Sequence, residues 1–353
     1  MKNIIKTLFV MLTSISLFAS ANAGELAVSG TAKATYNINT GKVNQGKGIG
    51  ITNELNFTAS GELDNGYTWN YSMELDPADA ASAGAANNDD TQLTLTTPYG
   101  TIGVYVQEGG LDAEDAASQS VYSRPTDSGD PSATVDNYSI DSYNNVMYTT
   151  PADLLPFSTV FKVAYAPDLD TTNNSGNATG AAQVEGGATY VGRSMTAMKL
   201  TTVPMEGLSV GASHNYMDNQ GGAKKNQEAE SGAYYATYAF GNFTVGYSKG
   251  YRADLVIDGA LTTSSEAEYY DQTNYSAAMV VNDNLSISYE VEKSEVNYQL
   301  DSEVAVEQKS TGIQLAYNMG GMTMAISRNS HDNNGYDTTA SQDQTLFAFT
   351  MAF

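Results

Sequence analysis

The side chains of this sequence that could do chemistry are mostly carboxylates. The 353 residues include 40 Asp and Glu, 16 Lys and Arg, two His and no Cys, for a net charge of −24. Without Cys there are no disulfides, thiolate metal sites, Fe–S clusters or thiol nucleophiles. A hydrolase would need a nucleophile beside a placed imidazole. His214 falls on the apolar parity of its segment and reads as an interfacial polar aromatic. His331 falls in the last long polar stretch, and neither has a Ser partner in the sequence. Nucleic acid is excluded as a partner, because so few cations could not neutralise a phosphate backbone. No cofactor is implied. The longest acidic stretch, 108–142, holds Glu108, Asp112, Glu114, Asp115, Asp127, Asp130, Asp136 and Asp141, with Arg124 as its one basic residue. Such a run can concentrate cations through its field. It can also hold a divalent cation such as calcium, or simply be a solvated surface. Clusters such as Asn87-Asn88-Asp89-Asp90 lack the Gly and Glu spacing of an EF-hand loop.

The elements that must carry these groups are strands. Tyr67, Trp69, Tyr71, Met73 and Leu75 alternate with Thr68, Asn70, Ser72 and Glu74. Leu285, Ile287, Tyr289 and Val291 alternate with Ser286, Ser288, Glu290 and Glu292. Period-2 alternation gives a strand one apolar and one polar face. A short helix near 112–122 is the only helical expectation. Residues 1–23 read as a cleaved secretory signal: Lys2 and Lys6, an apolar run from Leu8 to Ala19, and the small-x-small ending Ala21-Asn22-Ala23. At about 12 residues, that run is short of the roughly 20 a spanning helix needs.

The connections are sorted. Seven short turns fall at 64–66, 98–100, 151–156, 204–207, 241–242, 282–284 and 320–321, rich in Gly, Asn, Asp and Pro. Between them lie eight long polar stretches at 40–48, 76–90, 108–142, 168–185, 218–231, 254–268, 293–309 and 330–342, which hold 28 of the 40 acidic residues. Fifteen connections in strict alternation imply sixteen strands, read here as about 9–12 residues each, enough to cross a bilayer at a tilt. A soluble sandwich has no reason to sort its connections; a barrel threaded through a membrane does. Closure is compulsory there, because hydrocarbon offers no partner to an open sheet edge. The expected fold is therefore an all-β transmembrane antiparallel barrel of 16 strands with short turns at one rim and long loops at the other. Inward faces such as Ser209, Gly211, Ser213 and Asn215, or Thr323, Ala325 and Ser327, are small or polar and suit an aqueous lumen.

The last strand ends Phe347-Ala348-Phe349-Thr350-Met351-Ala352-Phe353, with Phe347, Phe349, Met351 and Phe353 on one face. This ending resembles the assembly signal of Gram-negative outer-membrane barrels. With the leader and the strand count, residues 24–353 resemble the trimeric general-diffusion porins, most nearly those of α-proteobacteria. The start Glu25-Leu26-Ala27-Val28-Ser29-Gly30, and the stretch Asn145-Val146-Met147-Tyr148-Thr149-Thr150-Pro151 with Phe157, add to the likeness. The resemblance implies an outer-membrane homotrimer among lipids and lipopolysaccharide, assembled by the barrel-assembly machinery through its C-terminal strand. It also implies that the third long loop, 108–142, folds into the lumen and sets carboxylates against basic residues of the wall. Asp112, Glu114 and Asp115 are the candidates for the acidic side. Lys33, Lys162, Arg193 and Lys199, turned inward by strand alternation, are the candidates for the basic side. The expected function is passive diffusion of small hydrophilic solutes with weak cation preference. The alternatives are a substrate-specific channel, or a barrel acting mainly as adhesin or receptor. Gly30, Ala32 and Ala34, small and outward, would permit close subunit contact.

Overall fold

The computed structural model describes residues 26–42, 45–77, 86–127, 136–169, 182–185, 188–191, 194–218, 225–257, 267–300 and 302–353. The expected leader, 1–23, together with Arg193 and Asp130, lies outside the described residues. Among the described residues, sixteen strands close one antiparallel barrel. They are β1 (Leu26–Gly41), β2 (Gly46–Glu62), β3 (Thr68–Pro77), β4 (Ala86–Thr97), β5 (Gly100–Val106), β6 (Asn145–Thr149), β7 (Val160–Ala166) and β8 (Ser194–Met205). The circuit continues with β9 (Leu208–Asp218), β10 (Glu230–Phe240), β11 (Phe243–Ala253), β12 (Ala267–Asn282), β13 (Leu285–Tyr298), β14 (Val306–Met319), β15 (Met322–Asp332) and β16 (Ser341–Ala352). Each strand pairs with its neighbours in sequence, and β1 pairs with β16 to close the circuit. At the seam Gly30 N–H donates to Phe353 O at 2.8 Å and Phe353 N–H donates to Gly30 O at 3.0 Å.

Six of the seven expected turns join their strands through five residues or fewer, whereas the one expected at 151–156 is the longer connection between Thr149 and Val160, which includes the 3-10 turn Pro156–Ser158. In the two-residue turns Gly241-Asn242 and Gly320-Gly321, Gly241 and Gly320 have φ of 57° and 63°, backbone that a Cβ would strain. Side chains alternate as a lipid-facing barrel requires. In β13, Ile287 and Tyr289 are exposed outward while Ser288, Glu290, Glu292 and Ser294 are buried inward. Phe240 and Phe243 stack across their turn at 5.8 Å, and Tyr36 of β1 meets Phe347 of β16 at 6.3 Å within the outer wall.

Three expectations are corrected. Strands run from 5 to 17 residues rather than 9–12. Polar stretches read as loops are partly strand: 40–48 shrinks to the gap between Gly41 and Gly46, and 293–309 to the gap between Tyr298 and Val306. The wall continues above the apolar band, where both faces are polar and apolar periodicity vanishes. The helix near 112–122 reduces to one 3-10 turn, Asp115–Ala117.

The barrel is not uniformly hollow. Leu111 and Ile140, fully buried in the third long loop, pack against inward Tyr105, Met147, Ala164, Met195, Ala197 and Met217. Tyr122 of the same loop packs on Ala325, Leu346 and Ala348. The inner face of β2 at Gly48, Gly50 and Thr52 stays exposed. The loop therefore covers one side of the interior and leaves the side of β1 and β2 open to water.

Candidate functional site

The third long loop leaves β5 through two positive-φ residues, Gln107 (φ 52°) and Gly109 (φ 88°), which turn the chain inward. It then runs across the inner faces of successive strands, and each strand supplies a partner. Asn215 Nδ2 of β9 donates to Asp112 Oδ1 at 3.0 Å and to Tyr138 O at 2.5 Å. Ser248 Oγ of β11 donates to Glu114 O at 2.6 Å, and Ser276 Oγ of β12 donates to Ala117 O at 2.5 Å. Glu290 Oε2 of β13 accepts from Ser118 Oγ at 2.7 Å and Ser120 Oγ at 2.5 Å. Glu292 Oε2 accepts from Thr126 N–H at 3.0 Å and Thr126 Oγ1 at 2.9 Å. Gln314 Oε1 of β14 accepts from Tyr122 N–H at 3.0 Å. At about 0.5–1.5 kcal/mol net each, such bonds fix the loop collectively. Close approach is part of the design: a Cβ on Gly246 would lie 1.9 Å from Ala117 O, and one on Gly312 would lie 2.8 Å from Pro125 Cγ.

Arg124 is the hub of the loop. It pairs with Asp115 and with Asp127 (2.7 Å), lies 3.5 Å from Glu292 of the wall, and approaches Asp136 at 4.0 Å. Its own side chain is 13% exposed, whereas those of Asp115, Asp127 and Asp136 are 45%, 45% and 47% exposed. The surface that the loop shows to water is therefore acidic, with its cation tucked beneath. Arg252 of β11 holds the far end of the loop, donating to Asp136 O at 3.2 Å and lying 4.3 Å from the Tyr138 ring centre.

The sequence candidates fall in different places. Asp115 faces water beside Arg124. Glu114 is buried, and its oxygens accept from Asn137 N–H at 3.1 Å and Asn137 Nδ2 at 3.0 Å, so it staples two passes of the loop together. Burial, reinforced by the charges of Asp112 and Asp115, pushes its carboxyl up to about 8. Asp112 is raised too, chiefly by burial. Lys162 and Lys199 are inward cross-strand neighbours, and Lys199 Nζ donates to Asp112 O at 2.5 Å. Lys33, paired with Thr52 and Thr350, is inward on the open side, away from this cluster. Phe347, Phe349, Met351 and Phe353 form the outward row of β16, with Phe353 67% exposed.

Sequence reasoning missed Glu290, Glu292, Gln314 and Arg252 as loop anchors. The parity of Glu290 and Glu292 was visible; their attachment to a segment more than 160 residues away was not. His331 lies inside β15, not in a loop, and its Nδ1 sits 2.8 Å from Ser310 Oγ. That Ser–His pair is 0% and 1% exposed, so no face of it is open to a substrate. His214 points outward, 3.5 Å from Glu230. Among the described residues, no group of three or more His, Asp or Glu side chains is placed to hold a metal ion.

The fold has solved counterparts. OmpF of Salmonella typhi, solved with Daunomycin, has a TM-score of 0.67 at 15% identity, covering 94% of this chain and 98% of that one. OmpT of Vibrio cholerae, in its trimer form, gives 0.62 at 12% identity, covering 94% and 100%. A variant of the Rh. blastica porin gives 0.57 at 14% identity, covering 93% and 100%. At such identities the likeness establishes the fold. No curated protein sequence matches the chain. The Gram-negative porin family matches residues 9–334, nearly the whole sequence. Family and architecture agree: the chain belongs to the Gram-negative porins, diffusion channels of the outer membrane.

Proposed function

We propose that the inward loop is the narrow point of this channel and makes it weakly cation-selective for small hydrophilic solutes. The observation that carries the reading is the exposure contrast within the loop. Asp115, Asp127 and Asp136 are nearly half exposed, and Arg124 is 13% exposed. Acidic groups facing a water-filled slit raise the local cation concentration. Lys162 and Lys199 on the wall oppose them in sign and set up a transverse field. A dipolar solute aligns in such a field, while an apolar one must displace ordered water. Residues 1–23 act as the export signal, and the outward row ending at Phe353 serves the assembly machinery. The working unit is a homotrimer, a reading supported by the trimer form of OmpT and by the small outward residues Gly30, Ala32 and Ala34. The sealed Ser310–His331 pair supports a channel without a catalytic step.

The test is the reversal potential of single channels in a KCl gradient. Asp115→Asn combined with Asp127→Asn and Asp136→Asn should move it toward the value for a non-selective pore. An unchanged reversal potential overturns the assignment of selectivity to the loop.

A further inference from the structure

The connection between β6 and β7 is unlike its neighbours on the short-turn rim. The other turns there close in five residues or fewer, and several, such as Asp64-Asn65-Gly66 and Asn282-Asp283-Asn284, are polar. This one runs from Thr150 to Thr159 and shows Leu154 and Phe157 to the outside, 61% and 65% exposed, with Leu155 exposed between them. Asp153 is its single charged residue. Phe157 and Ser158 both have positive φ, 60° and 51°. A bulky residue in that region is an outlier, and it persists only where its surroundings over-determine it. Gly would hold the same backbone without strain. The ring is mostly exposed, so packing within the chain does not account for Phe at this position.

The connection is pinned to the outer face of the wall. Thr202 is outward on β8, two residues beyond outward Leu200. Its hydroxyl donates to Phe157 O at 3.1 Å and accepts from Thr159 Oγ1 at 2.9 Å. The apolar side chains of the connection therefore adjoin Leu200 and Met205, both exposed toward the outside of the barrel. Much of the backbone is engaged within the protein. Thr150 N–H donates to Phe161 O at 3.0 Å, Phe161 N–H donates to Thr150 Oγ1 at 2.9 Å, and Thr159 N–H donates to Pro156 O at 3.2 Å. Pro151 and Pro156 have no N–H to satisfy. Backbone that is already hydrogen-bonded can approach hydrocarbon at low cost.

We propose that residues 150–159 form an apolar foot seated in the periplasmic leaflet of the membrane, with Leu154, Leu155 and Phe157 among the acyl carbons just inside the headgroups. Short turns mark the periplasmic rim of such barrels. The foot is continuous with the lipid-facing band through Leu200 and Met205, and it carries no Lys or Arg for an anionic partner. Hydrocarbon is the chemistry that fits it. Removing the Phe157 ring from water supplies the compensation that the protein interior does not, and an aromatic at this level sets how deep the barrel sits. The inference uses the outer-membrane placement of the barrel and not the selectivity assigned to the third long loop.

The test uses the full-length channel reconstituted in vesicles of phosphatidylethanolamine and phosphatidylglycerol. Trp69 is the one Trp of the chain, so Phe157→Trp combined with Trp69→Phe places a single fluorophore on the foot. Asp283→Trp in the same Trp69→Phe background reports on a polar turn of the same rim. Bromine carried on the acyl chain near the headgroup should quench the Phe157→Trp protein strongly, bromine near the chain end weakly, and aqueous iodide little. The Asp283→Trp protein should be quenched by iodide and little by either bromolipid. Leu154→Trp gives a second position on the foot, should the substitution at 157 disturb assembly. Quenching of the foot by iodide alone overturns the proposal, because the connection then stands in water. Protection from iodide and from both bromolipids overturns it as well, because a second copy of the chain then covers the site. Single-channel conductance recorded on every variant keeps the readings apart. A conducting channel whose foot is quenched only from water refutes this inference alone, and a lipid-quenched foot on a barrel without conductance refutes the channel reading.

Discussion

At the scale of single residues, the loop depends on groups that hold it rather than on groups that face the solute. Glu114 is the clearest case, because its buried carboxyl group accepts from both donors of Asn137. Its folded pKa of about 8 exceeds the unfolded value of about 4.3. The folded loop therefore retains a proton that the unfolded chain gives up. Its contribution to loop attachment is complete below the unfolded value and is lost as pH rises through the folded one. Hydrogen exchange of the amides near Asn137, corrected for intrinsic rate, should show weaker protection at pH 9 than at pH 5. Glu114→Gln, neutral at both, should abolish the difference. Gly246 tests the same attachment sterically. A Cβ there would sit 1.9 Å from Ala117 O, so Gly246→Ala must push the loop off the wall toward the pore axis. Single-channel conductance should fall while the barrel stays assembled; an unchanged conductance would mean that the loop does not border the conducting path at that point.

At the scale of elements, β13 is the strand on which the loop depends most, through Glu290 and Glu292. Glu292 is buried against the loop's Arg124 at 3.5 Å. Removing one member of a buried pair costs about 3–5 kcal/mol, because it strands the other charge. Arg124→Ala should therefore free the loop to proteolysis more than Arg124→Ala combined with Glu292→Gln does. If the double variant is cleaved faster than the single one, the pair is not coupled. Strand alternation makes most of this architecture legible in the amino-acid sequence alone. Ser286 and Ser288 opposite Ile287 and Tyr289 define the strand and its faces, and Gly241 and Gly320 mark turns that follow from the sequence. The loop's course is not legible in the same way. Its anchors are scattered over β9–β14, and polar inward residues look alike whether they meet water or the loop. Nothing local distinguishes buried Asn215 from exposed Thr52. The strand extensions through Lys293 and Glu307 are equally hidden, since above the lipid band both faces are polar.

At the scale of the whole molecule, the selectivity proposed above has to be an electrostatic property of an open, water-filled path, because the carboxylates assigned to it are exposed and hold no metal ion site among the described residues. The chain carries −24 overall, and among the described residues carboxylates such as Asp218, Glu230, Glu295, Glu307 and Asp332 stand at the strand ends away from the short turns. Rim charge acts on ions only across distances that salt screens: the Debye length is about 10 Å at 0.1 M and about 3 Å at 1 M. Asp115 and its neighbours act at shorter range, beside the path itself. The two sources therefore separate with ionic strength. Cation preference, measured as reversal potential at a fixed gradient ratio, should be strongest in dilute KCl and decline as mean salt rises toward 1 M. The remainder at 1 M should vanish on neutralising Asp115, Asp127 and Asp136. The part lost between 0.1 and 1 M should persist in that variant, since it belongs to the rim. Preference that is independent of salt would require ions to bind a dehydrated site inside the channel, and a filter of that kind is incompatible with carboxylates left half in water.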